Sequence, residues 1–291
     1  MEALIDKAAV LIEALPYIQK FRDAVVVIKF GGSVMEDPEL IRGTMRDIVF
    51  MECVGMKPVV VHGGGKAISA RLKEMGIGTE FINGLRYTCE KTVAVVDDVL
   101  HNEVNAELLA AITAAGGCGS QVSGKKFLTA ERMTTRCTKT GADLDIGLVG
   151  EIAAVDTSHI HAALAENVVP VIPPLGVGVD GRVYNINADI AACRIAEALH
   201  ARKLVFLSDV PGILHNPKDE STLISHITLG EVDSLIQQGI ISGGMVPKIR
   251  SAEAALRAGT NKVHMIDGRV KHSLLREIFT DRGIGTEIVR E

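Results

Sequence analysis

Two runs of β-branched residues near the start of the chain each end abruptly in glycine. Val25-Val26-Val27-Ile28-Lys29-Phe30 runs into Gly31-Gly32-Ser33, and Val59-Val60-Val61-His62 runs into Gly63-Gly64-Gly65-Lys66. Short apolar runs without alternation suit strands covered on both faces, and hence a parallel sheet between helices. A glycine loop closing such a strand lets backbone N–H groups converge on an anion. The helix that follows adds its positive end. A third cluster, Ser242-Gly243-Gly244-Met245-Val246-Pro247-Lys248, sets a second lysine beside glycines. Two cations aimed at such loops suit a phosphoryl group in transfer.

The 291 residues allow one large α/β domain or two lobes. With 3% aromatic residues and no Trp, the core must be built from Ala, Val and Ile. A net charge of −5 advertises no nucleic-acid partner. Cys53, Cys89, Cys118, Cys137 and Cys193 are odd in number and never spaced C-x-x-C, so they read as reduced thiols. No apolar run approaches the roughly 20 residues of a membrane span. The acidic start, with Glu2 and Asp6, is no secretory signal, and the expected compartment is the cytoplasm.

Leu4, Ile5, Ala8, Leu11, Ile12 and Leu15 form one stripe of a helix over residues 2–15. Pro16 should kink or end it, with residues 17–21 as a continuation. The stripe has two destinations, its own domain or another subunit. Strand 25–30, helix 37–54, strand 58–62 and helix 66–75 follow. Thr88 is placed to N-cap a helix running to about Ala115, ended by Gly116-Gly117-Cys118-Gly119. Residues 127–152 read as antiparallel hairpins. Helix 157–166, strand 168–172, a short strand 182–186, helix 188–201 and strand 203–207 come next. Helices 228–238 and 246–258, strand 262–266, helix 271–280 and strand 286–289 complete an α/β chain with a mainly parallel sheet.

Several segments carry chemistry. Asn83-Gly84-Leu85-Arg86-Tyr87-Thr88 sets an arginine before a helix. A guanidinium fork grips a carboxylate through two hydrogen bonds, although a plain surface arginine fits the same sequence. Tyr184-Asn185-Ile186-Asn187-Ala188-Asp189 gathers two amides and a carboxylate at a strand–helix junction. Asp189 there either N-caps its helix or orients lysines. Ser208-Asp209-Val210-Pro211-Gly212 follows a strand end, where open α/β sheets bind ligands, and it also fits a simple turn. The triple glycine is not a G-x-x-x-x-G-K-[ST] loop. No G-x-G-x-x-G with a downstream acid supports a nicotinamide oxidoreductase. His159, His161, His264 and His272 show no H-E-x-x-H spacing, and no metal ligand is assigned.

In order from residue 25 to the C-terminus, VVVIKFGGSVM, VVVHGGGKAIS, NGLRYT, GLVGEI, YNINAD, LSDVPGIL, GGMVPKI and HMIDGR resemble the amino-acid kinase family. K-x-G-G-S alone is shared by its aspartate, carbamate and uridylate kinases. HGGG with NGLRYT and YNINAD resembles the branch acting on N-acetyl-L-glutamate. The resemblance implies a three-layer αβα sandwich around a mainly parallel sheet of about eight strands. It implies a phosphotransferase with a carboxyl acceptor, making N-acetyl-L-glutamyl 5-phosphate in arginine biosynthesis. It implies ATP, with Mg²⁺ held mainly by the nucleotide phosphates.

Residue roles follow from the same resemblance. Lys29 and Lys248 would stabilise the moving phosphoryl group, with Asp189 holding both. Gly32, Gly64 and Gly65 would offer N–H donors. Arg86 would clamp the substrate's α-carboxylate, and Asn185, with Asn187 beside it, would receive the acetamido part. Gly31, Gly32, Ser208, Asp209, Gly212, Leu214, Ile240, Ile241, Ser242, Gly243 and Gly244 would border ATP. The implied division is a helical extension over 1–24, an acyl-amino-acid and dimerisation lobe over 25–200, and an ATP lobe over 201–291. The arginine-inhibited branch carries a kinked N-terminal helix linking dimers into a hexamer, and residues 2–22 resemble it. Tyr17, His272, Glu277, Gly283 and Gly285 resemble its site for L-arginine. Whether a PII signalling protein binds is not legible in the sequence. Two alternatives stand beside this reading. One is another amino-acid kinase such as glutamate 5-kinase, which needs no acetamide pocket at Asn185. The other is a silent amino-acid sensor, against which Lys29, Asp189 and Lys248 together speak.

Overall fold

The computed structural model describes residues 2–136, 143–280 and 283–291; Cys137 falls outside them. Helix α1 (Glu2–Phe21) precedes β1 (Val25–Phe30), α2 (Pro38–Cys53), β2 (Lys57–His62) and α3 (Gly65–Glu74). A small hairpin, β3 (Phe81–Ile82) and β4 (Leu85–Arg86), leads to α4 (Glu90–Asp98), a π-helical turn (Val99–Val104), α5 (Asn105–Ala114) and β5 (Gly119–Gln121). β6 (Leu128–Arg136), β7 (Asp143–Val155), α6 (Ser158–Ala165), β8 (Val169–Ile172), β9 (Leu175–Gly178) and β10 (Val183–Ile186) follow. Then come α7 (Ala188–Ala198), β11 (Lys203–Ser208), β12 (His226–Thr228), α8 (Leu229–Gln237), α9 (Met245–Arg257), β13 (Val263–Asp267), α10 (Ser273–Ile278) and β14 (Thr286–Val289).

Eight strands form one sheet in the order β12-β14-β13-β11-β1-β2-β8-β5. Each neighbouring pair is parallel except β13–β14. Alternate residues of β1 enter opposite cores. Val27 packs with Ala191, Ala192 and Ile249 of α7 and α9. Val26, Ile28 and Phe30 pack with Met45, Ile48 and Leu108 of α2 and α5. This double burial explains the unbroken apolar runs, and it makes the three-layer αβα sandwich. β10, β7, β6 and β9 close into a small barrel beside the sheet. No described helix is long and apolar enough to cross a membrane.

α1 continues past Pro16 to Phe21, the continuation expected over residues 17–21. Several other local expectations need correcting. Thr88 does not cap α4: Cys89 holds the N-cap position, and the Thr88 hydroxyl donates to the Arg86 carbonyl at 2.8 Å. The helix from Glu90 to Ala114 is interrupted by the π turn. The helices expected over 188–201 and 271–280 are shorter, ending at Ala198 and Ile278.

Adjacent parallel strands bring the two glycine loops side by side. β1 and β2 pair from Val25–Lys57 to Phe30–His62, and Gly63 N donates to the Phe30 carbonyl at 2.8 Å.

Candidate active site

Asn187 begins the site by capping α7. Its Oδ1 accepts from the amides of Asp189 at 2.8 Å and Ile190 at 3.3 Å. Asn187, rather than Asp189, is therefore the cap, and Asp189 is left in the first turn with its carboxylate free to meet cations. Its Oδ1 lies 2.9 Å from Lys29 Nζ, which arrives from β1. Its Oδ2 lies 3.7 Å from Lys248 Nζ, which arrives from the first turn of α9. The three side chains are 12–20% exposed, so the cluster is enclosed yet reachable. Burial pushes the Asp189 pKa up, but Lys29 and Lys248 outweigh it and the net shift is downward. Burial lowers the Lys248 pKa against the pull of Asp189. A shared carboxylate is what lets two ammonium groups stand together here.

The glycine loops crowd this cluster. A Cβ on Gly31 would lie 2.7 Å from Lys29 Nζ, and one on Gly64 would lie 2.5 Å from Leu100 Cδ2. A cavity of about 380 Å³ opens between Lys29, Gly32, Gly64, Gly65, Lys66 and Arg86. An adjoining recess of about 190 Å³ shares Gly64, Gly65 and Arg86 and adds Asn185 and Asn187. All five residues expected to hold the acyl amino acid thus border one cleft. A Lys66–Glu36 ion pair ties the two glycine loops together beside it.

Arg86 is set by the β3–β4 hairpin, whose turn residues Asn83 and Gly84 have φ of 50° and 80°. Its Nη2 donates to the Gly65 carbonyl and to Ser69 Oγ, each at 2.8 Å. Its guanidinium lies 4.7 Å from the centre of the Phe81 ring. Nη1 is buried without a hydrogen-bond partner in the protein. Asn185 Nδ2 donates to Thr88 Oγ1 at 3.2 Å. The Asn187 carbonyl is committed to α7.

Sequence reasoning passed over His62. Its ring is fully buried, with Nδ1 2.8 Å from the Gly63 carbonyl and Nε2 3.0 Å from Asn105 Nδ2. Burial pushes its pKa down to about 4, against the Gly63 carbonyl, which raises it. A folded-state pKa below the unfolded value means stability is lost as pH falls. As pH drops from about 6.5 towards 4, the unfolded chain takes up a proton that folded His62 refuses, worth about 3 kcal/mol in full. Denaturant melts at pH 7 and pH 4.5 should show this loss in the wild type, smaller by one proton's slope in His62→Asn.

Of the expected nucleotide residues, Ser208 to Leu214 end or follow β11, and Ile240 to Gly244 lead into α9 and Lys248. Ser208 ends β11, its hydroxyl donating to the carbonyls of Val210 at 3.1 Å and Ile266 at 3.3 Å. Asp209 raises the Lys248 pKa by its charge. Gly212 has φ 151°, and a Cβ there would lie 2.5 Å from Thr286 Oγ1. Leu214 bridges to Leu223. Ile241 is buried, Ile240 packs on the core, and the turn Ser242-Gly243-Gly244 feeds α9 and Lys248.

Four of the five expected effector residues also meet. Tyr17, Glu277, Gly283 and Gly285 line a cavity of about 300 Å³ with Lys20, Lys203, His264 and Glu287. His272 does not join them: its Nδ1 lies 2.6 Å from Asp47 Oδ1, beside α2. His264 takes the expected place, with Nδ1 2.6 Å from Glu277 Oε1. Burial pushes Lys203 down to about 8. The lysine had no glycine loop to mark it in the sequence.

Residues 24–267 match the amino acid kinase family. The chain belongs to that family. This amino acid kinase is 46% identical over 286 residues to the acetylglutamate kinase of Syntrophomonas wolfei, covering 98% of each chain. It is 48% identical to that of Thermoanaerobacter pseudethanolicus, over 99% of this chain and 94% of the relative. Among solved structures it resembles N-acetylglutamate synthase from Neisseria gonorrhoeae bound to coenzyme A and N-acetyl-glutamate, with a TM-score of 0.84 and 29% identity. That match covers 98% of this chain and spans 63% of the synthase. A carbamate kinase from Giardia, at 15% identity and a TM-score of 0.67, shares the fold.

Proposed function

We propose that this amino acid kinase transfers the γ-phosphoryl group of ATP to the γ-carboxylate of N-acetyl-L-glutamate, the phosphorylation step of arginine biosynthesis, in the cytoplasm. The Lys29–Asp189–Lys248 cluster facing the Arg86 cleft is the observation that carries this reading. The bond formed joins a carboxylate oxygen to the γ-phosphorus. The bond broken is the one bridging to ADP, which leaves with its electron pair, and no covalent enzyme intermediate is required.

Lys29 and Lys248 offset the charge that spreads over the phosphoryl oxygens, and Asp189 fixes both ammonium groups. Backbone N–H groups of Gly32, Gly64 and Gly65 add donors. Mg²⁺, when bound, would offset phosphate charge; with both Asp189 oxygens already facing lysines, it would be held mainly by the nucleotide phosphates. Residues 25–200 form the acyl-amino-acid lobe and residues 201–291 the ATP lobe. Residues 1–24 form a helical extension that joins dimers into a hexamer. The cavity at the base of α1 takes L-arginine as a feedback inhibitor.

Trapping of acyl phosphate as hydroxamate tests the reaction. N-acetyl-L-glutamate with ATP should give product, and free glutamate far less. Equal or better turnover of glutamate would replace the assignment with a glutamate kinase. Arg86→Lys should raise the KM for the acyl amino acid about tenfold or more with little change for ATP, since lysine keeps the charge and loses the two-pronged grip. An unchanged KM would remove Arg86 from the substrate.

A further inference from the structure

We infer that His62 and Asn105 are positioning residues that lock the Gly63–Gly64 peptide with its N–H turned into the cleft; this rests on the proposed phosphoryl-transfer function. The lock reads outward from the sheet as a chain of forced choices. The Val171 carbonyl on β8 accepts from Asn105 Nδ2 at 3.0 Å, which fixes the amide with its NH₂ group on that side. The same nitrogen lies 3.0 Å from His62 Nε2, so Nε2 must accept. The proton of a neutral imidazole is then on Nδ1, which donates to the Gly63 carbonyl at 2.8 Å. In a trans peptide the next N–H points opposite to that carbonyl. With the carbonyl turned to the fully buried ring, Gly64 N–H faces away from that ring, and Gly64 itself lines the cavity with Lys29.

The π turn supplies the helix side of this device. It ends at Val104, directly before Asn105, and both residues are buried. Leu100 and Val104 of the same turn would lie 2.5 and 3.5 Å from a Cβ on Gly64. One irregular turn therefore presents Asn105 to His62 and seals Gly64 from behind, and π turns commonly mark functional sites. A peptide free to rotate would offer its carbonyl to the incoming anions for part of the time.

Two measurements test the lock. Selective ¹⁵N labelling of histidine in the full-length protein should show neutral His62 protonated on Nδ1 at pH 7. A proton on Nε2 would overturn the proposal, whatever the activity. In kinetics, His62→Asn keeps a donor near the Nδ1 position, whereas His62→Gln keeps only a group toward Asn105. His62→Gln should lower kcat roughly 30- to 100-fold with the KM for ATP little moved, less than deleting an oxyanion donor outright. His62→Asn should recover most of that loss. Equal kcat in the two folded variants, checked by circular dichroism, would reduce His62 to a core residue. The tautomer decides the matter if either variant fails to fold. Failure of the wild type to phosphorylate N-acetylglutamate would strike the proposed function and leave the tautomer result standing.

Discussion

Alanine at Lys29 or at Lys248 is expected to lower kcat by roughly 10²–10⁴, about 3–5 kcal/mol of barrier. A dicarboxylate must approach a polyanion, so charge compensation is the main task of the site. Each lysine reaches the same carboxylate from a different element, β1 and α9, and each is less than one-fifth exposed. In that enclosed setting a missing cation is not replaced by bulk water at equal effect. Its loss also leaves Asp189 with one partner, a negative group turned toward the phosphates. Asp189→Asn should cost a comparable factor by releasing both ammonium groups, with substrate KM values changed less than kcat. Steady-state kinetics on folded variants measures this. Near-normal kcat in both alanine variants would remove the lysines from the phosphoryl group.

The same elements show how far the sequence reaches. β1, β2 and β11 were legible because both faces of a central parallel strand are buried, which leaves an unbroken apolar run. Asn187 and Asp189 were legible as a junction, but their division of labour was not. Capping depends on which amide the backbone turns toward, and the lysines come from segments far apart in sequence. The barrel was only half visible: β6 and β7 alternate enough to suggest a hairpin, whereas β9 reads Leu-Gly-Val-Gly and gains its identity from pairing with β10 and β6. The π turn left no mark in composition. His272 entered the expected arginine site only through the resemblance of its segment to that of the arginine-inhibited branch. The fold instead gives His272 to Asp47 and turns His264 inward from β13 to Glu277.

L-arginine is expected to inhibit the enzyme, and deletion of residues 1–22 is expected to yield active dimers that respond weakly to it. The cavity at the base of α1 has the polarity an amino acid with a guanidinium requires. Its wall carries Glu277 paired with His264 at 2.6 Å and Glu287 paired with Lys262 at 2.6 Å, with Lys203 among them, so acidic and basic groups are both offered to an occupant. Tyr17, Lys20 and Phe21 form part of its wall, so removing the helix removes contacts from any occupant. The wall is also mechanically connected. The Tyr17 ring meets Phe279 edge-on at 6.4 Å, and Phe279 meets Phe50 of α2 at 5.7 Å. α2 follows the Gly31-Gly32 loop, so a ligand that drew α1 inward would bear on the element that follows Lys29 in the chain. The outer face of α1 supplies the assembly half of the expectation. Val10, Leu11 and Ile12 are 64–69% exposed in the single chain, an apolar run suited to a second copy. Arginine binding one subunit arrangement better than another would shift substrate affinity by roughly 5–150-fold, the usual range of a coupling of about 1–3 kcal/mol. Glu277→Gln separates the two halves: it should raise the arginine concentration needed for inhibition about tenfold or more while light scattering still reports the intact assembly. If the truncated enzyme stays hexameric and fully inhibited, α1 has neither role. If arginine leaves the wild type unaffected, the feedback reading of the cavity falls.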